Sequence, residues 1–133
     1  MDNLNVANSK VSSSNLKFTK QRKSILKILF SNGHGHYTAE QIHSSVIKDG
    51  FKVSLATVYN TLKEFTKIGI IKGIKVSSDK TFFDTNSKPH HHFYHKKSGK
   101  LEDIELKKIK ISEIPKIPKG NKLDSIEVVI NLD

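Results

Sequence analysis

Seven histidines and not one cysteine define the metal chemistry open to this chain of 133 residues. Three of the histidines are consecutive, in Pro89-His90-His91-His92-Phe93-Tyr94. On a β-strand alternate side chains share a face, so His90 and His92 point to one side and His91 to the other. His90 and His92 can therefore share one ion. A Lys97-Ser98-Gly99 turn leads into Lys100–Leu106, where alternation puts Leu101, Asp103 and Glu105 on one face. Asp103 can then aim at the ion while Ile104 and Leu106 enter the core. Asp84, six residues before His90, is close enough to join across a short linker, and His36 can complete the set. Imidazoles and carboxylates without thiolate suit Fe²⁺, Mn²⁺ or Zn²⁺. A His-x-His pair on an exposed strand is also often simply solvated. His34, His43 and His95 are expected to be exposed polar residues.

The elements that must position these side chains follow from periodicity. Residues 1–15 are rich in Asn and Ser without a repeat, which predicts a mobile arm. Thr19 can cap a helix running to about Ser31, with Ile25, Leu26, Ile28 and Leu29 as its apolar stripe. After a glycine-containing loop, Thr38-Ala39-Glu40-Gln41 fits a capping box that opens a helix burying Ile42, Val46 and Ile47, stopped at Gly50. Ser54 caps a third helix with Leu55, Val58, Leu62 and Phe65 inward, closed by Gly69. Ile70–Val76, a polar turn and Thr81–Asp84 read as a hairpin.

Three short helices and a hairpin make a winged helix-turn-helix, the third helix reading and the hairpin serving as wing. The predicted fold is α+β: a mobile arm at 1–15, a winged-helix DNA-binding domain at 16–85 and a small α/β dimerisation and sensing domain at 86–133. In the last domain Ile126, Val128, Ile130 and Leu132 alternate as a strand, while residues 107–123, with Pro115 and Pro118, fit either a short helix or a loop. A segment this small buries too little surface to stand alone, so it needs a partner subunit, a metal, or both. A homodimer is the simplest answer.

Charge agrees with this division. The net charge is +10, of which residues 1–76 carry +8 and residues 77–133 only +2. A basic half implies a polyanion, with nucleic acid ahead of an anionic membrane surface; a generally lysine-biased proteome is the bland alternative. The third helix exposes Thr57, Tyr59, Asn60, Lys63 and Lys67, side chains suited to phosphates and base edges. Exposed helix faces are polar in any case, and three-helix units also dock proteins. The absence of cysteine excludes disulfides, Cys-ligated zinc, iron–sulfur clusters and thiol nucleophiles. The start has no apolar signal region and no run reaches a membrane span, so a cytoplasmic location is expected.

Leu16-Lys17-Phe18-Thr19-Lys20-Gln21-Arg22, His36-Tyr37-Thr38-Ala39-Glu40, Leu55-Ala56-Thr57-Val58-Tyr59-Asn60-Thr61-Leu62, Gly69-Ile70-Ile71 and the triple histidine together resemble the ferric uptake regulator (Fur) family. The similarity covers roughly residues 16–133. It implies a dimeric, metal-responsive regulator of transcription, not an enzyme, with a regulatory site at His36, Asp84, His90, His92 and Asp103. It also implies DNA contacts at Lys17, Arg22, Tyr59 and Asn60, the last standing where ferric uptake regulators commonly have Arg. The missing Cys-x-x-Cys pairs rule out the structural zinc of many members. Together with the histidine run and the short proline-containing tail, their absence looks most like the iron response regulator (Irr) branch, which senses iron through haem. In that branch His90, His91 and His92 would be haem-associated, although the Cys-Pro haem motif of some members is missing here.

The expected function is therefore an iron- or haem-responsive dimeric repressor of iron and haem metabolism genes, acting on a two-fold operator. The alternative within the family is a direct Fe²⁺/Mn²⁺ sensor, including a peroxide sensor. A metalloenzyme or a haem buffer protein are readings of a different class; the first lacks a spare general base and a substrate-pocket motif.

Overall fold

A computed structural model describes residues 3–133, which form two compact units dividing between Ser87 and Lys88. The first unit opens with α1 (Asn3–Ser12), α2 (Lys20–Phe30), the two-residue strand β1 (His36–Tyr37), α3 (Ala39–Lys48) and α4 (Leu55–Lys67). The hairpin β2 (Lys72–Ser77) and β3 (Lys80–Asp84) follows, and β1 joins its β3 edge to give the antiparallel order β1-β3-β2. Each of the last three helices starts at the residue its side-chain chemistry predicts. Thr19 accepts from the Arg22 amide, Ser54 accepts from the Thr57 amide, and Thr38 with Gln41 makes a complete capping box. Gly50 and Gly69 stand at φ +90° and +83°, the left-handed conformation that lets the chain leave α3 and α4.

The core of this unit is built from Ile25, Leu26 and Leu29 of α2, Ile42 and Val46 of α3, and Val58, Leu62 and Phe65 of α4. Two residues expected inside lie outside: Ile47 is 45% and Leu55 40% exposed. Leu55 is the first residue of α4 and Ile47 sits one position past the α3 stripe, so neither faces the neighbouring helices.

The predicted mobile arm is also corrected. Residues 1 and 2 of it lie outside the described residues, but Asn3–Ser12 is helical, and Ala7 and Val11 are buried in the core with Leu4 packed against it. Positions 4, 7 and 11 make a helical stripe that the surrounding Asn and Ser obscure. Packing of that stripe, rather than propensity, holds the helix.

The second unit carries β4 (His91–His95), β5 (Lys100–Ile104), a 3-10 turn at Leu106–Lys108 and β6 (Val129–Leu132). The order is β5-β4-β6, with β4 antiparallel to β5 and parallel to β6. Gly99, at φ +73°, allows the tight return from β4 to β5. Leu101 and Ile104 are its buried aliphatics, whereas Leu106, expected in the core, is 47% exposed because β5 ends at Ile104 and the turn swings it outward. Residues 109–128 form no helix: Pro115 and Pro118 each remove an amide donor and bias the preceding residue to extended backbone.

Candidate metal centre

Each unit holds part of the predicted ligand set. In the first, β1 and β3 pair so that His36 lies opposite Asp84. Their side chains meet at 3.5 Å, His36 Nε2 to Asp84 Oδ2, with the carboxylate 1% exposed. The other carboxylate oxygen, Oδ1, accepts the Asn86 amide at 2.8 Å. A two-way clamp fixes this pairing: the Gly35 amide donates to Thr85 Oγ1 at 2.9 Å, and the Thr85 amide donates to the Gly35 carbonyl at 3.0 Å. The loop that delivers His36 is thereby tied to the strand end that delivers Asp84.

In the second unit β4 and β5 pair with His92 opposite Asp103. Asp103 Oδ1 lies 3.1 Å from His90 Nε2 and 3.2 Å from His92 Nε2, and the two rings stand 4.4 Å apart. Both histidines are buried, at 6% and 1% exposure. His90 Nδ1 lies 2.7 Å from the Lys88 carbonyl. A carbonyl only accepts, so Nδ1 carries the proton, and in the neutral ring Nε2 turns its lone pair toward the carboxylate. Two imidazole nitrogens gathered on one carboxylate oxygen form a donor set that a divalent cation would satisfy. The backbone partner of His90 has the orienting role that ligand histidines usually require.

His91 departs from its neighbours. It points to the opposite face of β4, is 1% exposed, and its Nδ1 accepts the Val128 amide at 2.8 Å. That bond joins β4 to the approach of β6, so the middle histidine serves the sheet, which does not support the haem role expected for it. His43 bonds the Val53 carbonyl at 2.8 Å and His95 meets Glu102 at 2.9 Å; neither is the merely solvated residue expected.

The residues expected at DNA lie on the first unit. Tyr59 is 41% exposed on α4, held by an edge-on contact with Phe83, with the Lys63 ammonium over its ring at 5.7 Å. Asn60, Lys63 and Thr57 are exposed on the same helix. Lys17 is exposed too, but Arg22 is turned inward, donating to the Lys17 carbonyl and pairing with Glu64 at 2.8 Å. A surface cleft of about 510 Å³ is lined by Lys17, Thr19, Arg22, Lys52, Ser54 and Thr57, bringing together the capped starts of α2 and α4. Lys52 was not singled out from the sequence; a lysine two residues before a helix cap is the signal that could have found it.

Comparison with known proteins decides the family. The family model described as "Ferric uptake regulator family" matches residues 13–131. The chain belongs to the ferric uptake regulator family. Among its relatives, the peroxide-responsive repressor PerR of Staphylococcus aureus (strain Mu50 / ATCC 700699) is 36% identical over 90 residues, which is 68% of this chain and 60% of that protein. This chain thus matches less than two thirds of the length of that curated relative. The ferric uptake regulator of Pseudomonas aeruginosa, solved with manganese, aligns with a TM-score of 0.72 at 25% identity, covering 96% of each chain. The peroxide sensor PerR of Streptococcus pyogenes shares the fold, with a TM-score of 0.56 at 22% identity over 98% of this chain and 91% of that one. Among the described residues no helix is long and apolar enough to cross a membrane.

Proposed function

We propose that this chain is a dimeric, divalent-metal-responsive DNA-binding regulator, acting as a cytoplasmic repressor and not as an enzyme. The observation that carries the reading is the gathering of His90 and His92 on Asp103 inside the sensing unit. His36 and Asp84 are assigned as the remaining ligands. Asp84 and His90 are six residues apart, so the chain keeps them within about 20 Å of each other. Fe²⁺, Mn²⁺ and Zn²⁺ all suit these donors, and a bound ion supplies the charge that lets three imidazoles and two carboxylates share one small volume.

The protein's own part is geometric. Asp84 ends the wing strand β3 and His36 sits beside it on β1, while His92 and Asp103 belong to the sheet of the second unit and His90 immediately precedes its β4. Ligation by both groups restricts the angle between reader and sensor, and so couples metal occupancy to DNA affinity. DNA contacts are assigned to Lys17, Thr57, Tyr59, Asn60 and Lys63, with Arg22 positioning Lys17 through its carbonyl bond. Two such readers in a homodimer fit a two-fold operator.

The test is Mn²⁺ titration of the full chain followed by binding to a duplex selected from a random library. Mn²⁺ should tighten binding to the selected duplex and not to a scrambled one, and His90→Ala or His92→Ala should abolish the difference. Equal affinity with and without metal sinks the proposal.

A second reading, peroxide sensing, is favoured by the 36% identity to a peroxide-responsive repressor. Its signature is one added oxygen atom on a ligand histidine after peroxide treatment of the iron-loaded protein, absent with Mn²⁺. The haem-responsive Irr reading depends on all three histidines of the run, and burial of His91 against Val128 weighs against it. Haem titration discriminates: a Soret shift lost in His90→Ala together with a change in DNA affinity would restore it.

A further inference from the structure

Glu64 is the one acidic residue of the reading helix α4, whose other charged side chains are Lys63 and Lys67. An acid beside residues that meet a polyanion opposes binding by simple charge, so its position asks for a reason. Its partner is Arg22, the chain's single arginine, with Nη2 at 2.8 Å from Glu64 Oε2. Arg22 stands in the first turn of α2, where the helix dipole disfavours a cation and the turn itself has no acidic residue. An exposed ion pair adds little to stability, and the Glu64 side chain is 41% exposed. Helix stability alone does not account for the pair.

What the pair fixes is Lys17. The other arm of the guanidinium, Nη1, donates to the Lys17 carbonyl, and the Thr19 amide donates to the same oxygen at 3.2 Å. The Arg22 amide in turn donates to Thr19 Oγ1 at 3.2 Å. Residues 17–22 are thus closed into a knot that one two-armed side chain ties to α4. A guanidinium can do this because its donors keep a fixed planar geometry. The tie also joins two surface recesses. Arg22 lines the cleft that holds Lys17 and Thr57, and Glu64 lines a second, of about 350 Å³, with Asn60, Lys63 and Lys67.

We infer that Glu64 is a specificity-determining residue: through Arg22 it holds the Lys17 backbone in one place relative to the turn of α4 that carries Tyr59 and Asn60. The inference rests on the DNA-reading function proposed above. A phosphate contact gives register only if it is rigidly placed against the side chains that meet base edges. Without the tie Lys17 still attracts phosphate, but in no fixed register. Specific binding then suffers and non-specific binding does not. Glu64 touches no base in this scheme; it is a positioning residue.

Charge and position predict opposite signs for Glu64→Ala, which makes the test direct. The full-length protein with Mn²⁺ is titrated with the selected duplex and with a scrambled one. Loss of a negative charge alone would tighten both. Loss of position should weaken binding to the selected duplex about tenfold or more while the scrambled duplex holds or tightens. Glu64→Gln, which keeps an oxygen for Arg22, should recover most of the selected-duplex affinity. Arg22→Lys keeps the charge but has no second arm, and it should lose selected-duplex affinity with the salt slope unchanged. In an Arg22→Ala background, Glu64→Ala should change the selected-duplex affinity by less than about twofold, because the two residues act as a unit. Tightening on both duplexes, equal losses on both, or an Arg22→Lys variant that reads like wild type overturns the inference and leaves the DNA-reading function standing. A wild type that does not separate the two duplexes overturns that function, and the inference falls with it.

Discussion

At the scale of single residues, three adjacent histidines have two different tasks. His90 and His92 aim at Asp103, and His91 holds the Val128 amide. Asp103→Ala should therefore lower Mn²⁺ affinity at least tenfold, read by calorimetry, with little change in melting temperature. His91→Ala should do the reverse: a stability loss of about 1–3 kcal/mol from the orphaned amide and the vacated space, seen in denaturant unfolding. If His91→Ala weakens metal binding as strongly as Asp103→Ala, the division of tasks is wrong. Strand alternation alone made the split between His91 and its neighbours legible in the sequence. The reason for His91 was not legible, because its partner is a backbone amide 37 positions away, and the alternation that marks that strand does not say which strand it pairs with.

At the scale of elements, caps and glycines carried most of the information. Thr19, Thr38 and Ser54 open their helices as polar caps should, and Gly50 and Gly69 close α3 and α4. What stayed hidden was α1, whose stripe of Leu4, Ala7 and Val11 is too short and too diluted by Asn and Ser to rise above loop composition. Val11→Ala should cost about 1–3 kcal/mol in unfolding free energy, a loss that a mobile arm would not show. Ser54→Ala should cost about 1 kcal/mol by removing the cap of α4. On α4 itself, Tyr59→Ala should weaken binding to the selected duplex more than to a scrambled one. Equal losses on both would remove Tyr59 from base readout. Arg22 was read from the resemblance as a DNA contact, and its ion pair with Glu64 could not be anticipated from residues 42 positions apart.

At the scale of the whole molecule, the +10 charge predicts that DNA binding falls steeply with salt, and Lys17→Ala should flatten that dependence by about one unit of log–log slope. Lack of any change would take Lys17 off the phosphate path. The pairing of the second sheet has a consequence for the order of folding. β4 and β5 are joined by the four residues 96–99, and hairpins of this kind close in about 1–10 μs. β6 reaches β4 only after a crossing from residue 105 to residue 128, a non-local closure that comes more slowly. His92 and Asp103 face each other within the fast hairpin, whereas His91 waits for Val128. On the proposed assignment, His92 and Asp103 would be in place to hold an ion before the last strand docks, so metal would act on the order of folding as well as on the reader.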